Sequence, residues 1–182
     1  MMLNHIPIKL LTGKSKLLPV FFIIKIVGYS RLVARDYALK YALGRNKNFY
    51  DFSRIGGDCT NFVSQCIFAG TGKMDYSKDG WFYVNLDKRT PSWTGVEELA
   101  SYLLHNNHVV VKAKEIAMED IQIGDVIQLK RDGRFYHSLF VTKVDYPVLS
   151  MADIFVSCHS ADRLNARLNS FMFEQAKFLK VY

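Results

Sequence analysis

The amino-acid sequence predicts an α+β fold, with helices first and an antiparallel sheet after them. Three observations carry this reading. Apolar side chains recur at helical spacing in three segments between Ser30 and Leu104. After about residue 108 the pattern changes to short runs rich in β-branched and aromatic residues, divided by turn signals. Between the second and third of these runs stands Asp132-Gly133, a pair suited to a tight hairpin. Helices followed by hairpin-linked strands make the class α+β rather than alternating α/β.

The elements follow in order. Lys14 and Lys16 precede the apolar stretch LLPVFFIIKIV, which has the charged and apolar parts of a secretory signal. Lys25 interrupts it, no small-x-small cleavage site precedes Tyr29, and Leu17–Val27 is too short to span a bilayer. Residues 1–28 are therefore read as a basic, apolar arm: a degenerate signal or anchor, or a packing strand. Residues 29–182 form one domain. Ser30 is placed to cap a helix with the stripe Ala34, Tyr37, Ala38, Tyr41 and Ala42, which Gly44 stops. A second helix starts near Cys59 with Phe62, Val63, Cys66 and Ile67 on one face, and Gly70 and Gly72 end it. The stretch MDYSKDGWFYVNLDKRTPSW reads as irregular structure with exposed aromatics. Thr94 and Glu97 have the spacing of a capping box for a third helix carrying Val96, Leu99, Ala100, Leu103 and Leu104. The predicted strands are HVVVKAKEI, DVIQLKR, HSLFVTKVD, IFVSCHS and KFLKVY.

At 182 residues, with 49% hydrophobic and 14% aromatic content, the chain can bury a real core and is not disordered. Its net charge of +7 is unevenly placed. Residues 1–48 hold nine Lys and Arg against Asp36 alone, whereas residues 49–182 hold fifteen bases and sixteen acids. The basicity belongs to the arm and first helix, so the arm is a candidate contact for an anionic envelope polymer, and nucleic-acid binding by the body is not expected. The odd count of Cys59, Cys66 and Cys158 excludes a full disulfide framework and lacks the close pairs of a structural zinc site.

The stretch GGDCTNFVSQC carries the chemistry. Asp58 is of the N-cap type, which places Cys59 in the first helical turn. Unpaired N–H groups and the helix dipole there stabilise a thiolate, to a pKa of roughly 3.5–7.5, and can bind an oxyanion. Gly56 and Gly57 allow a tight approach turn and leave room for a substrate backbone. A nucleophile needs a base, and His137 opens one strand while His159 ends the next. If both rings share a face, His137 activates Cys59 and His159 holds the His137 ring. Asp162 or Ser157 are alternatives for that last role. A zinc site from Cys59, Cys158, His137 and His159 is the competing reading, less favoured because the histidines already have a catalytic use. Trp81 and Tyr83 are placed either to line a cleft or to cover the edge of a core.

The segments NFYDFSRIGGDCTNFVSQCIFAG, SWTGVEELASYL, IGDVIQLKRDGRFYHSLFVTKV and SCHSADR resemble the bacterial putative amidase domain family, itself similar to the papain-like NlpC and CHAP cell-wall hydrolases. The resemblance runs from about Tyr29 to Tyr182. It implies a cysteine helix packed on an antiparallel sheet, with Cys59 as nucleophile, His137 as general base and His159 as third member. It implies hydrolysis of amide bonds through a thioester, in peptidoglycan peptides above all, with no cofactor and no metal, in the cell envelope or outside the cell. Asp58, Thr60 and Trp81 are the candidate substrate contacts; Thr60 and Asn61 stand where NlpC-type proteins carry Ser-Gly. A non-catalytic wall-binding module and an acyltransferase are the alternatives on the same fold.

Overall fold

The computed structural model describes residues 28–107 and 110–182. Residues 1–27 of the arm, with its expected signal, anchor or packing role, and His108 at the head of the first expected strand lie outside the described residues. Four helices, α1 (Arg31–Tyr41), α2 (Cys59–Thr71), α3 (Pro91–Thr94) and α4 (Val96–His105), precede a six-stranded sheet. The strands are β1 (Ala113–Ile116), β2 (Val126–Arg131), β3 (Arg134–Val144), β4 (Ile154–Cys158), β5 (Arg163–Arg167) and β6 (Gln175–Val181). Their order across the sheet is β1-β6-β2-β3-β4-β5 and every neighbouring pair is antiparallel. No described helix is long and apolar enough to cross a membrane.

The sheet is covered on both faces, and period-2 alternation sorts its side chains between them. Val126, Phe140, Leu179 and Val181 join the helices in one core, with Ala34 and Ala38 of α1, Phe62, Val63, Cys66 and Ile67 of α2, and Leu99 and Leu103 of α4. Ile127, Leu129, Leu139, Val141, Val156 and Cys158 build a second core under the loops around Ile121, Val148 and Leu168. The α1 stripe is small because α1 lies close against α2: Ser30 N–H donates to the Gly70 carbonyl at 2.8 Å. Arg31 then ties α1 to the sheet, donating to Asp125 Oδ1 at 2.6 Å and to the Val181 carbonyl at 2.5 Å.

Three helix starts differ from expectation in their caps. Thr94 ends the short α3, Gly95 takes the N-cap of α4, and no side-chain cap forms there, so Thr94 and Glu97 make no capping box. Ser30 and Asp58 hold the N-cap positions of α1 and α2 without a side-chain cap. The segment expected to expose its aromatics buries most of them: Trp81 and Trp93 are fully buried with ring centroids 4.9 Å apart, and Tyr83 is buried beside them, leaving Tyr76 exposed. The β2–β3 hairpin turns as expected at Asp132 and Gly133, both at positive φ (52° and 77°). The sixth strand, β5, has no apolar alternation in RLNAR; it is a half-exposed edge strand paired with β4.

Candidate active site

Helix α2 begins where the sequence places it, at Cys59. Gly56 and Gly57 adopt φ of +111° and +103°, so side chains are disfavoured at both. A Cβ on Gly57 would also press on Ser160 Oγ at 3.2 Å. That hydroxyl accepts the Asp58 N–H at 2.8 Å, fixing the turn that delivers Cys59 as the first residue of α2.

The polar residues of α2 are buried and each has a use. Asn61 donates to Asp58 Oδ1 (2.8 Å) and the Tyr50 carbonyl (3.1 Å), and accepts from Trp93 Nε1 (2.8 Å). Ser64 accepts from Trp81 Nε1 at 3.0 Å and donates to the Trp93 carbonyl at 2.9 Å. Gln65 accepts from the Tyr37 hydroxyl at 2.7 Å. Thr60 shares a hydrogen bond with Ser138 Oγ at 3.1 Å and lies 3.8 Å from Cys59 Sγ. These bonds hold the aromatic loop and β3 against the helix that bears the thiol.

Cys59 and His137 line one cleft of about 350 Å³, together with Gly56, Gly57, Tyr136 and Arg163. Both are largely buried. Burial pushes the Cys59 thiol above its ordinary value, as does the neighbouring Asp58 charge. The main-chain N–H of Ser138, the Thr60 hydroxyl and the Thr60 N–H act in the other direction. This reverses the expected low thiol pKa, because desolvation outweighs the donors at the helix start. His137 is pushed down to about 4, first by burial and then by the positive charge of Arg163. At neutral pH the ring is therefore uncharged and the thiol of the same cleft protonated. Its faces pack near Tyr136 (centroids 5.8 Å apart) and Phe171 (6.2 Å), and among the described residues no hydrogen bond reaches either ring nitrogen.

His159 is placed elsewhere than the sequence reading expected. β4 ends at Cys158, so His159 stands in the turn beyond it, whereas His137 lies within β3. His159 packs on Phe62 of α2 at 4.2 Å between centroids, in the helix-side core. Its Nδ1 meets Asp58 Oδ2 at 2.5 Å and its Nε2 donates to the Tyr41 carbonyl at 2.9 Å. Both nitrogens are engaged, so neither is left to orient His137. The two alternatives for that role are also occupied: Arg45 grips Asp162 with both Nη atoms (2.8 and 3.0 Å), and Ser157 bonds Thr142 and the Asn165 N–H. What orients the His137 ring is packing.

Of the expected substrate contacts, Asp58 is fully buried and bonded to the Phe52 N–H, Asn61 and His159. Thr60 is buried behind the thiol, and Trp81 is sealed in the aromatic core on Ser64. None of the three lines the Cys59–His137 cleft. Sequence reasoning missed Arg163 and Tyr136, which do; no motif marks them. Cys66 and Cys158 are buried free thiols, as their apolar positions implied. Among the described residues no group of three or more His, Cys, Asp or Glu side chains could hold a metal ion.

A buried cysteine at a helix start, sharing a cleft with an uncharged imidazole on an α+β scaffold, is a constellation suited to nucleophilic chemistry. The family model described as a putative amidase domain matches residues 28–182, and the chain belongs to that family. Two proteins of Bacillus subtilis (strain 168) are similar to it. Uncharacterized protein YjcM is 34% identical over 147 residues, covering 76% of this chain and 32% of that protein. Uncharacterized protein YhbB is 33% identical over 122 residues, covering 64% of this chain and 38% of its own length. The chain thus spans about a third of the length of these curated relatives. No solved structure matches it.

Proposed function

We propose that this chain hydrolyses amide bonds as a cysteine enzyme of papain-like type. Family membership supports amide hydrolysis in general, and the shared cleft of Cys59 and His137 is the observation that points to the cysteine route. In that route the neutral His137 ring takes the Sγ proton as sulfur attacks the amide carbonyl carbon. The N–H groups at the start of α2 face the oxyanion that forms. Collapse breaks the C–N bond, and the proton held by His137 goes to the leaving amine. Water then gives a proton to His137 and attacks the thioester carbon, releasing the acid and restoring the thiol. A raised thiol pKa suits a general-base route, in which the thiolate forms as attack proceeds rather than beforehand. Peptidoglycan peptides are the proposed substrate, and the envelope or exterior the proposed location.

The test is a mass-spectrometric search for an acyl group on Cys59 after mixing with peptidoglycan fragments or synthetic peptide amides, alongside product identification. Cys59→Ala abolishes both signals under this reading. Hydrolysis that persists in Cys59→Ala would assign the activity to another group.

A further inference from the structure

The Cys59–His137 cleft is lined by two arginines, Arg131 and Arg163, and, among the described residues, by no acidic side chain. The bias is local, since residues 29–182 as a whole hold twenty bases against seventeen acids. Each guanidinium lies over an aromatic ring: Arg131 at 4.8 Å from the Tyr136 centroid and Arg163 at 4.4 Å from that of Phe171. Arg163 is also held by Ser170, to whose hydroxyl it donates at 3.0 Å. No carboxylate among the described residues lies within ion-pair distance of Arg163, whereas Arg131 meets only the exposed Asp132, at 3.6 Å. A half-buried guanidinium fixed by a ring and a hydroxyl, with donors to spare, is a preorganised carboxylate receptor. It sits where its charge reaches the His137 ring, the effect seen in the lowered basicity of that ring.

We infer that the cleft selects substrates bearing a carboxylate beside the reacting carbonyl, with Arg163 as its principal ligand and Arg131 as a second. The inference rests on the reading of Cys59 as nucleophile. A bound carboxylate would also offset the Arg163 charge that disfavours protonated His137, helping the ring to hold the thiol proton during attack.

The test uses iodoacetate and its neutral analogue iodoacetamide on the intact protein, with modification of Cys59 read by peptide mapping. The ratio of the two rates is divided by the same ratio for 2-mercaptoethanol. Both reagents report on one thiol, so a change in its reactivity cancels. The expected ratio favours iodoacetate by about ten- to a hundredfold, as for a hydrogen-bonded charge pair, and falls with added salt. It drops toward one in Arg163→Gln, keeps part of its value in Arg163→Lys, and drops less in Arg131→Gln. A normalised ratio of one in the unaltered protein, or one unmoved by Arg163→Gln, overturns the inference. The same preference is expected between peptide substrates carrying a carboxylate and their carboxamides. A protein that prefers iodoacetate yet cleaves no amide keeps this inference and sinks the hydrolase reading. One that cleaves both peptides equally does the reverse.

Discussion

The carboxylate of Asp58 meets Nδ1 of His159 at 2.5 Å, across 101 positions of sequence, with both side chains fully or almost fully buried. Asp58 directly precedes Cys59, so this contact ties the start of α2 to the end of β4. The Tyr41 carbonyl can only accept, which puts a hydrogen on His159 Nε2. The Asp58 contact then needs a further proton between Nδ1 and the carboxylate. Arg45 Nε, 3.5 Å from Asp58 Oδ2, adds a positive charge to the same group. Asp58 and His159 therefore act as a buried strut beneath the site.

Breaking one side of such a strut leaves the other polar group buried without its partner. Asp58→Ala and His159→Ala are each expected to cost about 3–5 kcal/mol. The double variant should cost less than their sum by about 1–3 kcal/mol, since the two act as one unit. Urea unfolding of the four proteins measures this. Strictly additive losses would mean that the contact carries no coupling.

The thiol offers a second prediction. Because burial is the largest influence on Cys59, its alkylation by iodoacetamide should show a midpoint above that of an ordinary cysteine. Cys158, pushed up to about 12, and Cys66, raised well above the usual value, should label far more slowly in the folded protein. A Cys59 midpoint below about 8 would mean that the helix start and His137 stabilise the thiolate more than burial opposes it.

Local signals in the sequence carry the helix faces, the Asp132-Gly133 hairpin and the positions of Cys59 and His137, because each rests on spacing or on a residue with one preferred conformation. Partnerships across the fold leave no such mark. Asp58 looks like a cap because caps are made by that residue type, yet its carboxylate turns to a histidine that only the β4 path brings near. The separate surroundings of His137 and His159 depend on how β3 pairs and how the chain turns after β4, which no local pattern fixes. Edge strand β5 lacks alternation because neither of its faces is fully covered. The burial of Trp81 and Trp93 follows from their partners Ser64 and Asn61 on α2, which no local spacing pairs with them.

That last point can be checked at Trp81. Trp81→Phe keeps most of the ring packing and loses the bond to Ser64, a cost of about 1 kcal/mol. Trp81→Ala opens a cavity and should cost about 3–5 kcal/mol. Amide turnover per folded molecule should change little in Trp81→Phe, since the ring does not face the cleft. A rise in KM with unchanged stability would return Trp81 to the substrate contacts.

His137 links stability to catalysis through pH. Its folded-state pKa is about 4, whereas in the unfolded chain the ring titrates near 6.5. Between those values the unfolded state binds the extra proton, so acid favours unfolding. The contribution is fully present above pH 6.5, is lost as pH falls toward 4, and amounts to about 3 kcal/mol over that window. His137→Gln removes this titration while leaving the other groups in place. The stability of the unaltered protein minus that of the variant, from urea unfolding, should therefore fall by about that amount between pH 7.5 and 4. Turnover of an amide by the same variant should fall on the order of 10²–10⁴-fold at pH 7.5 if, as proposed, His137 moves the proton. A stability difference that stays flat across the window would mean a ring titrating as if in water. A variant that keeps its turnover would remove His137 from the chemistry, whatever its pKa.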